Sequence, residues 1–177
     1  GTFVIDRSGG IRFAEAMDRR EGLSFRSHYL GDPAAWRALA GLLEDVFEID
    51  ITILDRLGGP DQTSVPFGWF DADGTCIANI TAFSLPLVID GVEVRAAGLQ
   101  SGAVRPSHRG QGLYRNVMEA ALDHCDAEGF EAVALLTDTP DLYRRYGFVP
   151  LAQSRFASAP PAAGKEHPIR RLDIGNE

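Results

Sequence analysis

The chain has 177 residues and a mass of 19.2 kDa, a size that suits one domain spanning residues 1–177. Hydrophobic residues make up 45% and charged residues 24%, an ordinary globular composition that excludes a fibre, a disordered chain or a solenoid array. The net charge of −8 argues against nucleic acid as the main partner.

The cysteines and the longest apolar stretch predict a cytoplasmic protein. Cys76 and Cys125 are the only cysteines, which is too few for a disulfide framework and typical of a reducing compartment. The apolar stretch over residues 82–89 contains Ser84 and Pro86 and is too short to span a bilayer. No basic start followed by an apolar segment marks a signal peptide. We therefore expect no association with a membrane.

The first part of the chain predicts one helix between less regular segments. Residues 1–23 have weak periodicity and suggest an arm or an edge strand, and residues 23–29 suggest a short strand. Asp32 and Pro33 then begin a helix as N-cap and first helical residue. The apolar residues of one helical face follow at the required spacing: Trp36, Leu39, Ala40, Leu43 and Phe47. Residues 48–64 fit either a strand or a helix, so their topology stays open.

Two hairpins are predicted next. Strands over residues 65–70 and 76–89 flank a turn at 71–74, whose Asp-Ala-Asp-Gly sequence favours a tight reversal. An Asp-Gly pair at 90–91 marks a second reversal, and a long strand returns over residues 92–104. Two glycines inside that strand indicate a bulge or a close backbone approach: Gly98 and Gly102.

A strand, a helix and a strand then form a crossover. The helix is predicted over residues 112–128 and stops at Gly129, and Cys125 falls on its apolar stripe as a core residue. Residues 132–136 are apolar without alternation, as in a strand that is covered on both faces. This order predicts that the second strand runs parallel to the strand at 92–104.

Short elements are predicted for the C-terminal part. A short helix begins at Thr139-Pro140 and ends at Gly147, and residues 148–156 suggest a strand. An Ala/Pro-rich loop over 157–168 and a last strand over 169–174 complete the prediction.

The segment from Arg105 to Leu113 carries the strongest chemical pattern. Gly110 and Gly112 allow the backbone to bend toward a ligand, and the helix that follows presents unpaired N–H groups and a positive dipole end. Arg109 adds a charge-assisted contact, so the segment suits a phosphate or a pyrophosphate. It matches neither the P-loop nor the dinucleotide-binding spacing. A tight turn with a solvated arginine is the structural alternative.

The charge distribution favours the same segment. Residues 94–118 contain four arginines and no acidic residue. Without those arginines, the chain has 13 basic and 25 acidic residues, a net charge of −12. Such a basic island in an acidic protein suggests a small anionic ligand, with chance clustering on a solvated face as the alternative.

Two motifs in this region point to a known family. The first is Ala-Val-Arg-Pro at residues 103–106 followed by His-Arg-Gly-Gln-Gly-Leu at 108–113, and the second is Leu-Tyr-Arg-Arg-Tyr-Gly-Phe at 142–148. Together they resemble the GNAT superfamily of acyl-CoA N-acyltransferases, and the close match covers residues 92–150. The connection at 137–143 looks most similar to the enhanced-intracellular-survival (Eis) type branch, whose further domains would not fit this length.

The resemblance implies an α+β fold in three layers, with a mixed, mostly antiparallel central sheet, a parallel strand–helix–strand crossover and flanking helices. It also implies acetyl-CoA as the acyl donor. Ala103 and Val104 would offer their backbone to the pantetheine arm, in a gap between the two parallel strands. A further set would hold the coenzyme pyrophosphate, mainly through backbone N–H groups: Arg109, Gly110, Gln111, Gly112 and Leu113.

The implied reaction is direct attack of a primary amine, on a small molecule or a peptide, on the thioester. The Val104 N–H would polarise the thioester carbonyl, and Tyr143 would protonate the departing thiolate. The general base is left open between Glu93, His28 and a chain of water. No metal is implied, and the oligomeric state, including a homodimer, stays open.

Two departures from the family pattern limit what is carried over. Ser107 stands where many members have Gln or Arg, and Thr-Asp-Thr at 137–139 replaces a frequent Asn, so those side-chain contacts to phosphate and pantetheine are not assigned. Two alternatives stay open: a GNAT-like sensor or interaction module that binds acyl-CoA without catalysis, and a structural domain without a ligand. The acidic remainder of the chain favours a cationic acceptor such as an aminoglycoside or a polyamine.

Overall fold

The computed structural model describes residues 2–6, 20–151 and 157, and for residues 2–6 it describes the backbone alone. Within these ranges the strands are β1 Thr2–Asp6, β2 Leu23–Ser27, β3 Val65–Asp71, β4 Cys76–Ser84, β5 Leu87–Ile89, β6 Val92–Val94, β7 Ala96–Val104, β8 Ala132–Leu136 and β9 Val149–Leu151. The α-helices are α1 Pro33–Phe47, α2 Leu113–Ala127 and α3 Asp141–Arg144, and short 3-10 helices cover Ile51–Arg56 and Pro106–His108.

Seven strands form one mixed sheet in the order β2-β3-β4-β7-β8-β1-β9. Its β7–β8 pair is parallel and its other pairs are antiparallel, while β5 and β6 pair with each other as a separate hairpin. Helices α1 and α2 each contribute to a different apolar cluster on the sheet. The expected fold class, an α+β sheet with flanking helices and a parallel crossover, is confirmed.

Helix α1 begins where the sequence predicts, but one of the five residues predicted for its buried face is exposed. Asp32 is the N-cap, and its carboxylate accepts a first-turn N–H at 2.9 Å. A hydrogen bond from Arg26 holds the pKa of Asp32 below its usual value. The expected place of Phe47 in the core is wrong, since its side chain is 46% exposed, and Leu42 is fully buried instead. Helix α1 ends directly after Phe47, at Glu48 in the left-handed conformation, which leaves the ring at the surface.

The strands predicted over residues 76–89 and 92–104 are each divided in the structure. Pro86, which has no N–H to donate, lies between β4 and β5. Between β6 and β7, the Arg95 N–H donates to Glu131 Oε2 at 2.9 Å rather than to a neighbouring strand. The two predicted hairpin turns are confirmed.

The structure also tests the predictions for residues 48–64, for the first strand and for the C-terminal part of the chain. Residues 48–64 contain the 3-10 helix Ile51–Arg56, which resolves the topology that the sequence leaves open. Strand β1 is not at the sheet edge, because its backbone pairs with both β8 and β9. The C-terminal strand is confirmed over Val149–Leu151. The loop at 157–168, apart from residue 157, and the strand at 169–174 lie outside the described residues.

The predicted crossover is confirmed. Helix α2 follows β7, β8 lies parallel to β7, and Cys125 is fully buried on α2. Gly98 allows the Phe83 ring to lie against β7, since a Cβ at Gly98 would overlap that ring. No helix in the described ranges has the length and hydropathy required to cross a membrane.

Candidate active site

Strands β7 and β8 pair at one end and separate at the other. Their parallel register ends at Leu99 and Leu135, although β7 continues to Val104. At the point of separation, residues 101–102 of β7 together face the single residue Ile80 of β4, which makes a β-bulge. A bulge bends the strand that carries it, and a cleft of about 770 Å³ lies between the two strands beyond it.

The cleft is lined by residues from the sheet, from the ends of helices and from the connection after β8. Ala103 and Val104 line it from β7, and three of its apolar lining residues are exposed to solvent: Phe47, Leu136 and Leu142. Its titratable lining within the described chain is small: Arg109, Tyr114, Asp138 and Tyr143. The cleft therefore combines apolar walls with a few polar groups, as small-molecule sites do.

A second cavity of about 410 Å³ adjoins the cleft at the N-terminus of α2, and we call it the anion cavity. The two cavities share lining residues: Val104, Arg109, Tyr114 and Leu142. The charged lining of the anion cavity consists of Arg109, Arg115 and Arg145, next to His108. No acidic residue of the described chain lines it. This composition suits a ligand with several negative charges.

The backbone at the anion cavity has the conformation that the glycines predict. Gly110 and Gly112 have φ values of 77° and 75°, in the left-handed region that side chains disfavour. Gly112 is the N-cap of α2 and supplies no side-chain acceptor, so no cap side chain satisfies the first-turn N–H groups. The first turn of α2 also lacks an acidic residue. Free N–H groups at a helix start suit a phosphate or diphosphate.

The four arginines of the basic island do not form one patch. Arg105 is bonded to the Asp45 carboxylate of α1. Arg95 donates to the Glu128 carbonyl, at the far end of α2. The remaining two line the anion cavity: Arg109 and Arg115. Arg145, which lies outside the island in sequence, joins them in space.

Arg20 contacts residues 109–113, which we call the glycine loop, from a distant part of the chain. Its guanidinium donates to the Gln111 carbonyl and, at 2.9 Å, to Asn116 Oδ1, and it lies over the Trp69 ring. These contacts connect the loop and the first turns of α2 to β3. Sequence reasoning missed Arg20, because a single arginine 91 positions before its partner Gln111 carries no local pattern.

Two tyrosine hydroxyls meet in the cleft. The Tyr143 and Tyr114 oxygens are 2.8 Å apart, and the rings are edge to face with centroids at 6.4 Å. Burial raises the pKa of Tyr114 well above its usual value, so its hydroxyl stays protonated. A Cβ at Gly102 would lie 2.7 Å from the Tyr114 oxygen, so Gly102 makes room for this hydroxyl beside the bulge. Sequence reasoning missed Tyr114, whose one signal is its position directly after the glycine loop.

The other sequence candidates pack or lie elsewhere. Phe148 is 2% exposed in the core, and Tyr146 packs on the core and lines the anion cavity. Neither His28 nor Glu93 lines the cleft. His28 stacks edge-on against His124 at a centroid distance of 5.8 Å. In the described ranges, no three His, Cys, Asp or Glu side chains are grouped to hold a metal ion.

Comparison with known proteins identifies the family. The family described as acetyltransferase (GNAT) domain matches residues 35–151, which include the cleft, the glycine loop and Tyr143. The chain belongs to this GNAT acetyltransferase family, a family of acyltransferases. The closer likeness of its motifs to the Eis-type branch stays a prediction.

Two curated relatives agree with this membership. The chain is 33% identical over 101 residues to an uncharacterized N-acetyltransferase of Streptomyces griseus, a match that covers 56% of this chain and 24% of that protein. It is also 33% identical over 102 residues to the uncharacterized N-acetyltransferase YhbS of Escherichia coli, covering 58% and 59%. Both matches span less than two thirds of the relative's own length.

Solved structures share the fold. A crystal structure of Escherichia coli YhbS in complex with CoA has a TM-score of 0.57 and 27% identity, covering 73% of this chain and 70% of that chain. An aminoglycoside acetyltransferase from an uncultured soil metagenomic sample, in complex with sisomicin, has a TM-score of 0.55 and 19% identity, covering 81% and 97%. At 19% identity, the likeness to the aminoglycoside acetyltransferase shows a shared fold and nothing more.

Proposed function

We propose that this chain is an acetyl-CoA-dependent N-acetyltransferase that acts on a primary amine of a small molecule or a peptide. The observation that carries the proposal is that the anion cavity adjoins the cleft lined by Tyr143, since the two cavities share four lining residues. An acyl-CoA carries a diphosphate in its nucleotide half and a thioester at the end of its pantetheine arm. The anion cavity suits the diphosphate, and the cleft suits the thioester. The CoA complex of YhbS supports the assignment.

The anion cavity is proposed to bind the diphosphate. Backbone N–H groups along the glycine loop are suited to the phosphate oxygens, and nearby arginines supply the opposite charge. The residues assigned to this role are Arg109, Gly110, Gln111, Gly112 and Leu113. Ala103 and Val104 are assigned to the pantetheine arm, which would lie along β7 after it stops pairing with β8. The Val104 N–H faces that side, because the next N–H along the chain, that of Arg105, donates to the Ile77 carbonyl of β4.

The reaction is proposed to proceed by direct attack, so that a C–N bond forms while the C–S bond breaks. Bound acetyl-CoA supplies the acetyl thioester. The Val104 N–H is assigned to the carbonyl oxygen, where negative charge develops. Tyr143 is assigned as the general acid that protonates the leaving thiolate. Tyr114, which burial keeps neutral, would donate its hydrogen bond to the Tyr143 oxygen after that transfer.

A proton must also leave the attacking amine, because an ammonium group has no free electron pair. Asp138 is the one carboxylate that lines the cleft within the described chain. We assign it to accept this proton, directly or through water, in place of Glu93 and His28.

The acceptor is proposed to be cationic. The net charge of −12 outside the basic island favours the approach of a polyamine or an aminoglycoside. The two cysteines, Cys76 and Cys125, form no disulfide, which supports a cytoplasmic setting for the reaction.

Calorimetry with acetyl-CoA and a thiol-release assay across an amine library test this function. The library contains polyamines, aminoglycosides and peptides with free amino groups. We expect saturable heat and amine-dependent release of the coenzyme A thiol. Binding without thiol release for any amine would favour an acyl-CoA sensor, and the absence of saturable heat would favour a structural domain; either result contradicts the proposal.

A further inference from the structure

A fully buried amide contacts the β-bulge that marks the start of the cleft. Asn79 of β4 is 0% exposed, and its Nδ2 donates to the Ser101 carbonyl at 2.9 Å and to Thr81 Oγ1 at 3.2 Å. The Tyr29 hydroxyl donates to Asn79 Oδ1. The Oδ1 atom and both Nδ2 hydrogens of the Asn79 amide are therefore hydrogen-bonded, which offsets the cost of burying this polar side chain.

The surrounding structure makes room for this network. A Cβ at Gly68 of β3 would lie 2.7 Å from the Tyr29 oxygen, so the position admits this hydroxyl only as a glycine. Burial raises the pKa of Tyr29 far above its usual value, so the hydroxyl remains a donor. The network thus joins β3, β4 and β7 to Tyr29, which follows β2.

The bulge itself has a conformation that needs support. Ser101 has a φ of 57°, which is unfavourable for a residue with a side chain. Residues 101–102 share one partner position on β4, so the regular ladder is interrupted there. The Asn79 amide supplies a donor to the Ser101 carbonyl at this interruption. Pairing of β7 with β8 ends two residues earlier, at Leu99.

We propose that Asn79 is a positioning residue for acyl transfer, which fixes the bulge at 101–102 and thereby the path of β7 through Ala103 and Val104. This inference rests on the proposed function, since those two residues are the ones assigned to the pantetheine arm and the thioester. Asn79 pairs with Ala103 across the sheet but lines neither the cleft nor the anion cavity. Its effect is on the pantetheine half of the site and not on the diphosphate half.

The test separates the two halves of the ligand. Asn79→Leu removes the amide at similar volume, and calorimetry compares coenzyme A with 3′-phospho-ADP, its nucleotide half. We expect coenzyme A to bind about tenfold more weakly, as for loss of a buried hydrogen-bonding partner, with the affinity for 3′-phospho-ADP within about twofold of wild type. The matched control is Thr81→Val, which removes the other acceptor of Asn79 but leaves its bond to Ser101.

Tyr29→Phe provides a second variant that preserves the core volume and removes only the donor to Asn79. We expect a smaller loss of coenzyme A affinity, about threefold, again with the nucleotide unaffected. Unchanged coenzyme A affinity in the folded variants overturns the inference, and so does an equal loss for coenzyme A and 3′-phospho-ADP. Failure of the proposed function has a different signature, because it is seen in the wild-type protein: no saturable binding of the coenzyme, or binding without thiol release for any amine.

Discussion

The hydroxyl oxygens of Tyr114 and Tyr143 lie 2.8 Å apart beside the opening between β7 and β8. Tyr114 comes from the first turn of α2 and Tyr143 from α3, so their hydrogen bond joins two of the three α-helices that line the cleft. Because burial keeps Tyr114 protonated, it is able to donate to Tyr143 when that oxygen has given up its proton. The hydrogen bond to Tyr114 gives the Tyr143 hydroxyl a fixed orientation, which suits its proposed role as a proton donor.

Replacing Tyr143 by Phe removes the proposed acid with little change in shape. We expect kcat to fall by at least about tenfold, because general acid catalysis contributes that much or more, while acetyl-CoA affinity changes by less than about twofold. Steady-state thiol release and calorimetry measure the two quantities. Tyr146→Phe is the control: Tyr146 lines the anion cavity and not the cleft, so kcat at saturating acetyl-CoA should be unchanged. A Tyr143→Phe variant with wild-type kcat excludes Tyr143 as the acid.

The tyrosine pair also makes a prediction about coupling. Tyr114→Phe removes the partner of Tyr143, and we expect kcat to fall about threefold, the scale of one hydrogen bond. In the double variant kcat should be no lower than in Tyr143→Phe alone, because Tyr114 acts through Tyr143. A double-mutant cycle of kcat checks this. Losses that simply multiply would show that the two hydroxyls act independently.

Gly110→Asp tests the anion cavity. Gly110 has a φ of 77°, and an aspartate there would be strained and would bring a negative charge to the phosphate site. We expect acetyl-CoA to bind at least about tenfold more weakly in a titration, the scale of a like-charge contact. Gly91→Asp is the matched control, with a φ of 80° at a hairpin tip. Equal losses of acetyl-CoA affinity in the two variants would show that the diphosphate does not bind at the glycine loop.

Arg20→Ala tests the support of the glycine loop from outside the motif. Loss of the bonds to Gln111 and Asn116 should weaken acetyl-CoA binding about threefold to tenfold, as for one or two lost hydrogen bonds, with kcat at saturation unchanged. Arg20→Lys should recover little, because an ammonium group does not reproduce the planar guanidinium fork. Wild-type acetyl-CoA affinity in Arg20→Lys would show that the positive charge, and not the guanidinium geometry, supports the glycine loop.

Asp138→Asn tests the proposed proton acceptor. At pH 7 we expect the rate to fall about tenfold, at the lower end of what a general base contributes. The deficit should shrink as the pH rises toward about 9.5, because a primary amine with a pKa near 10 then arrives increasingly deprotonated. Rate profiles of wild type and variant against pH measure this. A deficit that does not vary with pH would contradict the assignment.

The crossover and its loop are predictable from sequence because their causes are local. Gly110 and Gly112 adopt the left-handed conformations that their lack of a side chain allows, and Gly112 stands directly before α2. Asp32 caps α1 through atoms of its own first turn. In each case the residues that interact are within a few positions of one another, so the pattern is visible in a short window.

The cleft depends on contacts between residues that are far apart in sequence. Asn79 bonds to Ser101, 22 positions later, and Tyr29 reaches Asn79 across 50 positions. Phe47 fits the apolar stripe of α1, but its ring lines the cleft because the helix ends there. Such features follow from the packing of the sheet and its helices, and no local pattern encodes them.

A crystal structure of the protein with coenzyme A tests the central claim most directly. We expect the diphosphate within hydrogen-bonding distance of the backbone N–H groups of residues 110–113, close to Arg109. We also expect the pantetheine arm beside Ala103 and Val104, with the sulfur near the Tyr143 hydroxyl. A diphosphate bound away from the start of α2, or a pantetheine arm that does not enter the opening between β7 and β8, would contradict it.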